Sequence, residues 1–183
     1  MGSVNTKIKF TYKDYKNLPE SETKRYELIE GELIMVPSPN FKHQSISGNL
    51  EFILREFIQK RNLGTIIYAP FDVHLGDNVI QPDILFISKE HSYVITEEEI
   101  RGAPDLVIEI LSPATAQRDR TYKRTLYAQY GVREYWIVDP EEKIIEVLTL
   151  KEKGYETFSI YKKTDTLNSP LLPELRIKLT EIF

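Results

Sequence analysis

Cysteine is absent from the 183 residues, which removes disulfides, thiolate nucleophiles and cysteine-ligated zinc together. Histidine is scarce: His43, His74 and His91 form no ligand-like cluster in sequence, so a histidine-rich zinc site is not expected. No apolar run approaches the length needed to cross a bilayer, and the opening MGSVNTKIKF lacks the apolar segment of a signal peptide. The expectation is a cytoplasmic protein with no membrane association. A large excess of one charge is also missing. Twenty-four Lys and Arg against 28 Asp and Glu give a formal charge of -4, which does not announce a nucleic-acid binder, although a local basic patch can still engage phosphate. There is no internal repeat, no low-complexity linker and no glycine series of the phosphate-binding kind, since GEL at Gly31 lacks the strand-to-helix context.

What is present is a chain with 41% apolar residues, long enough for one sizeable core. A single domain over residues 1–183 is expected, with residues 1–10 a flexible N-terminal segment. In FTYKDYKNLP, Thr11 caps a short helix with Asp14 three residues on, and Pro19 ends it. RYELIEGELIMV reads as a hairpin about Glu30-Gly31 that runs into Pro37 and Pro39. From about His43 to Lys60, Ile46, Leu50, Ile53, Leu54, Phe57 and Ile58 recur at helical spacing, and NLG ends that amphipathic helix. Strand signals follow in TIIYAP, FDVHL and, after a GDN turn and Pro82, DILFIS.

Between Ser88 and Gly102 the chain is more polar, and TEEEI predicts a helical turn capped by Thr96. DLVIEIL is the next strand. SPATAQRDRTYKRTLYAQYG predicts one helix, opened by Pro113, lined on one face by Tyr122, Leu126 and Tyr130, and closed by Gly131. REYWIVD is a strong strand, KIIEVLTL and YETFSIY form an antiparallel pair, and SPLLPELRIKLTEIF returns along the core. Strand, helix, strand from Asp105 to Val138 permits a right-handed crossover. The expected class is therefore α/β, a mixed central sheet with flanking helices.

One residue breaks the apolar pattern. Glu109 sits at the centre of DLVIEILSP, where a strand puts Asp105, Val107, Glu109 and Leu111 on one face and Leu106, Ile108 and Ile110 on the other. A carboxylate in such a run reaches solvent, finds a partner or binds a cation, because unpaired burial costs too much. Asp83 is the second unusual acid, starting a strand directly after Pro82. Two carboxylates entering one cleft from neighbouring strands make the oxygen-rich site that hard cations such as Mg²⁺ require. Lys123, on the helix after the Glu109 strand, is a candidate to position an attacking water, and Arg118, Arg120 and Arg124 are candidates to hold a substrate backbone through its phosphates.

Each of these residues also has an ordinary reading. Asp83 is equally a strand-start residue, Glu109 a solvent-facing one and Lys123 a surface lysine, while the arginines can pair with Asp119 and nearby acids. His43 is a phosphate contact, a proton relay or a helix cap. Asp72 in PFDVHL either steadies a ligand from behind or ends an exposed strand. Tyr26, Tyr122, Tyr127, Tyr130, Tyr135 and Trp136 read as packing residues.

The ordered series YELIEGEL, PDILFIS, GAPDLVIEILSP, RDRTYKRTLYAQYGVREYWIVDP and SPLLPEL resembles the Uma2 family, commonly labelled a restriction endonuclease, over nearly the whole chain from about Tyr12 to Phe183. That family resembles the PD-(D/E)XK nucleases, whose α/β core holds a divalent metal for phosphodiester hydrolysis. The resemblance implies a restriction-endonuclease-like core, Mg²⁺ or Mn²⁺ as cofactor, and nucleic acid as substrate, DNA rather than RNA. It implies Asp83 as the motif aspartate and Glu109 as the second acid, both metal ligands. The superfamily places a lysine two residues beyond the second acid, but Leu111 stands there, and Lys123 corresponds to a lysine migrated to the following helix. Glu27, Glu30 and Glu32 belong to the N-terminal motif as accessory acids, with His43 and Asp72 as further accessory candidates. A homodimer is the expected assembly. Two other classes stay open: a nucleic-acid-binding or regulatory protein that keeps the fold without hydrolysis, and a structural interaction domain whose acids merely pair across an interface.

Overall fold

Local chemistry sets the first elements of the computed structural model, which describes residues 8–19 and 24–183. Of the N-terminal segment, residues 1–7 lie outside the described residues; Phe10 N donates to Gly31 O at 2.8 Å. Helix α1 (Tyr12–Lys16) has the full capping box of Thr11 and Asp14. Strands β1 (Arg25–Ile29) and β2 (Glu32–Val36) form the expected hairpin, with Ile29 opposite Glu32. Its two turn residues, Glu30 at φ 50° and Gly31 at φ 82°, are both left-handed, as a two-residue turn matched to strand twist requires. Helix α2 (Phe41–Arg61) begins two residues before His43 because the Asn40 side chain accepts from His43 N, and Asn62 ends it in the left-handed conformation.

Two sheets follow. The first has the order β2-β1-β5-β4-β7, adding β4 (Asp72–Leu75), β5 (Asn78–Ile80) and β7 (Glu99–Arg101). The second has the order β11-β10-β9-β8-β6-β3, built from β3 (Gly64–Tyr68), β6 (Ile84–Ser88), β8 (Leu106–Ile110), β9 (Glu134–Asp139), β10 (Ile144–Lys151) and β11 (Gly154–Lys162). Strands β8 and β9 are parallel and joined by the helical segment, while β8 is antiparallel to β6. The sheet is mixed, as expected.

The alternation in β8 is realised as two cores. Leu106, Ile108 and Ile110 pack with Ile46, Leu50, Leu54 and Ile58 of α2 and with Leu172, Leu175 and Ile177 of the C-terminal tail. Val107 and Leu111 face the other way, into a core with Ile29, Val73, Ile80, Leu126 and Tyr127. The tail is pinned by Glu134, whose carboxylate accepts from Ser169 Oγ at 2.6 Å, Trp136 Nε1 at 2.7 Å and Leu171 N at 2.8 Å.

Two expectations are corrected. Thr96 caps no helical turn: its hydroxyl donates to Glu99 O and accepts from Glu99 N, a local turn that delivers Ile100 into the core and β7 onto the free edge of β4. Pairing and burial together outweigh a weak local helix signal. A short 3₁₀ helix occupies Lys89–Val94 instead. The helix expected from Pro113 starts later and is interrupted: α3 (Ala116–Arg118) passes into a π turn over Asp119–Lys123 before α4 (Arg124–Tyr130), which Gly131 closes at φ 87°.

Candidate active site

Glu109 lies at the last turn of side-chain alternation in β8, 4% exposed, and it is paired. Its Oε1 accepts from Tyr127 Oη at 2.6 Å and from Lys123 Nζ at 3.0 Å. The same ammonium lies 2.9 Å from Glu27 Oε1 on β1 and 3.6 Å from Asp119 Oδ1. Glu27 Oε1 also accepts from Gln81 N at 3.0 Å, and Arg118 approaches the other Glu27 oxygen at 3.8 Å. Asp83, one residue before β6, turns Oδ2 to Ile110 N at 2.7 Å and to His43 Nε2 at 3.2 Å. With a carboxylate as partner, that imidazole nitrogen is the donor. The strand ends of β6 and β8, the start of α2 and the π turn thus converge.

They line a cleft of about 1040 Å³. Asp119 and Lys123, four residues apart on the π turn, both face it and both are buried. Burial works against the charge of Lys123, but Glu109, Glu27 and Asp119 outweigh it and hold the ammonium well above the ordinary lysine range. Burial pushes Glu109 up, Lys123 pulls it back, and the carboxylates of Asp119, Asp83 and Glu27 push it up again; the net direction is upward. Asp119 is raised for the same leading reason, against Lys123 and the Thr115 hydroxyl. For His43, burial lowers the value but Asp83 more than offsets it, so the imidazole gains basicity. The Tyr127 phenol is raised by burial and by Glu109, and so remains a donor.

Of the residues singled out in the sequence, Asp83, Glu109, Lys123, Glu27, His43 and Arg118 meet in this cleft. Asp72 stands behind it: it accepts from Tyr15 Oη at 3.0 Å and from Gln81 Nε2 at 2.8 Å, tying α1 and β4 to the residue after β5 that donates to Glu27. Arg120 reaches the rim but is engaged by Asp139 at 3.0 Å and Glu146 at 3.6 Å. Three expected residues are elsewhere. Glu30 and Glu32 sit at the hairpin turn and line a separate shallow depression, because the tight turn carries them past the cleft. Arg124 points to β11 and donates to Tyr155 O at 3.1 Å, since neighbouring helical residues diverge by about 100°. Tyr127, Asp119 and Gln81 are site residues that sequence reasoning missed. The signal for two of them was present: Asp119, Lys123 and Tyr127 recur every fourth position, a polar stripe on one helical face.

Among the described residues, no three His, Cys, Asp or Glu side chains form a ready metal cage. The Lys123 ammonium occupies the space between Glu27, Glu109 and Asp119. What remains for a cation is Asp83 Oδ1 and Glu109 Oε2, neither of which accepts a hydrogen bond among the described residues. Two carboxylates with one open oxygen each, on adjoining antiparallel strands, fit a hard divalent ion that keeps most of its waters, as Mg²⁺ does.

The model of the Uma2 family, described as "Putative restriction endonuclease", matches residues 12–180. The crystal structure of "a putative nuclease belonging to DUF820" from Anabaena variabilis ATCC 29413 superposes with a TM-score of 0.79 at 25% identity, covering 95% of this chain and 97% of that one. The uncharacterized protein sll1609 of Synechocystis sp. is 26% identical over 141 residues, 74% of this chain and 77% of that protein. The architecture is a mixed α/β, restriction-endonuclease-like core.

Proposed function

The chain belongs to the Uma2 family, and on that premise we propose that it hydrolyses phosphodiester bonds in nucleic acid, DNA in preference to RNA, with Mg²⁺ or Mn²⁺ held by Asp83 and Glu109. The observation that carries this reading is the Lys123 ammonium, kept charged and 3.0 Å from Glu109 inside the cleft. It supports the migrated lysine: Leu111, at the position where the superfamily has lysine, is 7% exposed and packed in the second core.

Asp83 and Glu109 would hold the cation, which would supply positive charge for the phosphoryl oxygens and lower the pKa of a bound water. The chain's own residues do the rest. Lys123 adds a fixed positive charge beside the reacting phosphate, where preorganised charge counts most. Tyr127 orients Glu109 and leaves its second oxygen open, and His43 does the same for Asp83. Arg118, on the cleft wall, contacts the substrate backbone. Hydrolysis forms a bond from the water oxygen to phosphorus and breaks the bond to one sugar oxygen, which leaves with its electron pair and takes up a proton.

Eight carboxylates line the cleft against five lysine and arginine side chains, so a polyanion is repelled unless a cation is bound. The test is cleavage of duplex and single-stranded DNA and of RNA with Mg²⁺ or Mn²⁺. Activity is expected to stop with EDTA and to vanish in Asp83→Ala and Glu109→Ala; equal activity in either variant sinks the assignment. Leu111 favours a second reading, a non-hydrolytic binder on the same fold. Salt-sensitive DNA binding without turnover on any substrate carries that reading instead.

A further inference from the structure

Asp119 is held in an expensive position. Its side chain is 2% exposed, it lines the cleft, and among the described residues no hydrogen-bond donor reaches its Oδ1. The cation beside it, Lys123 at 3.6 Å, lies closer to Glu27 at 2.9 Å and Glu109 at 3.0 Å. One ammonium therefore faces three buried carboxylates. Leaving a buried acceptor without a donor costs about 1–3 kcal/mol, and more for a charged group. The ion pair with Lys123 offsets only part of that cost, because the ammonium is shared with two closer carboxylates. The backbone adds a second observation. The turn Asp119–Lys123 is a π turn within an otherwise α-helical segment, an interruption that recurs at functional sites, and it aims both side chains at the ends of β6 and β8.

We propose that Asp119 Oδ1 accepts a hydrogen bond from the water that attacks the phosphodiester and takes its proton, making Asp119 a catalytic residue. This rests on the phosphodiesterase reading and deepens it by naming the group that orients the nucleophile. A carboxylate that accepts one hydrogen of the water the cation would acidify fixes the direction of that O–H bond and leaves a lone pair on the oxygen for phosphorus. The water oxygen then bonds to phosphorus, its proton passes to Asp119 Oδ1, and the bond to the departing sugar oxygen breaks with its electron pair. That oxygen takes a proton from solvent, and Asp119 returns its own to solvent. Burial, the main influence on this carboxyl, raises it despite Lys123 and Thr115, which makes it a stronger proton acceptor than an ordinary aspartate.

The experiment compares wild type, Asp119→Asn, Asp119→Ala and Asp83→Asn in three measurements: Mg²⁺-dependent DNA cleavage, DNA binding with Ca²⁺ in place of Mg²⁺, and thermal unfolding. Both Asp119 variants are expected to bind DNA as wild type does, with KM unchanged and kcat lowered roughly 100-fold or more. Asp119→Asn is expected to unfold near the wild-type temperature, because Lys123 keeps its two closer partners, Glu27 and Glu109, and one of three carboxylates sharing that ammonium is gone. A kcat within threefold of wild type overturns the inference alone. A lower unfolding temperature with a matching loss of DNA binding also overturns it, since that marks a scaffold residue. A wild type as inert as Asp83→Asn on every substrate refutes the phosphodiesterase reading, and the inference falls with it.

Discussion

Removing the Lys123 ammonium is the most demanding test of the site's electrostatics. Lys123→Ala leaves Glu27, Glu109 and Asp119, each under 5% exposed, without the cation that lies 2.9, 3.0 and 3.6 Å from them. Deleting one partner of a buried ion pair costs about 3–5 kcal/mol, and here three carboxylates lose the same partner. For a chain of this length that corresponds to a fall in unfolding temperature of roughly 10 °C. The loss is pH-dependent with a definite sign. In the variant, burial and mutual repulsion keep the folded values of Glu109 and Asp119 above their ordinary ones, with less opposition than in wild type. Raised carboxyls favour the folded state when protonated, so the variant's deficit is small in acid and grows as pH rises through those raised values. Urea unfolding of wild type and Lys123→Ala at pH 5 and pH 8 reads this directly. Equal midpoints at pH 8, or a deficit that does not change with pH, refute the assignment of Lys123 as the cation that compensates the cluster. Lys123→Met tests the same point with the aliphatic volume kept.

Glu99, remote from the cleft, carries the opposite linkage. Burial pushes its carboxyl up, but Tyr12 Oη at 2.8 Å and Arg101 at 2.8 Å more than offset this and bring it below its ordinary 4.5. Its contribution is therefore present above that value and lost as pH falls through the depressed one; the stability gap between wild type and Glu99→Gln is expected at pH 7 and should close in acid, and a gap that persists unchanged counts against it. Arg124→Ala is expected to leave DNA affinity unaltered, because the guanidinium is turned to Tyr155 O, whereas Arg118→Ala should weaken binding and flatten its salt dependence. The reverse ranking in a fluorescence-anisotropy titration would place the substrate on the other side of the helix. DNA binding is expected to require a divalent cation, given the acidic lining; equal affinity in EDTA and Ca²⁺ contradicts that.

The comparison of sequence with structure turns on range of interaction. Where one element's partners lie within a few residues, the reading was sufficient: the Thr11–Asp14 box, the Glu30-Gly31 hairpin and the heptad-like stripe from Ile46 to Ile58 all fold as their spacing requires. Glu30 and Glu32 share the N-terminal motif with Glu27, and Arg124 adjoins Lys123, yet the tight hairpin turn carries the first two to a separate depression and the helical advance of one residue turns Arg124 to Tyr155. Thr96 differs for a related reason: the edge of β4 lies far upstream in sequence, with Asp72 opposite Glu99, and pairing with it outweighs a local helix signal.

By itself the sequence determined the mixed α/β class, the two faces of DLVIEIL and the anomaly of Glu109, since periodicity and the cost of burying charge are local facts. It determined the family as well, through motifs spread along nearly the whole chain. Only the tertiary structure decided that anomaly's resolution. Glu27, Asp83, Glu109, Asp119 and Lys123 come from a hairpin, two strands and a helix, and their energies depend on distances of about 3 Å set by how two sheets pack. Coulomb interaction and desolvation vary too steeply over such lengths for residue order to specify them.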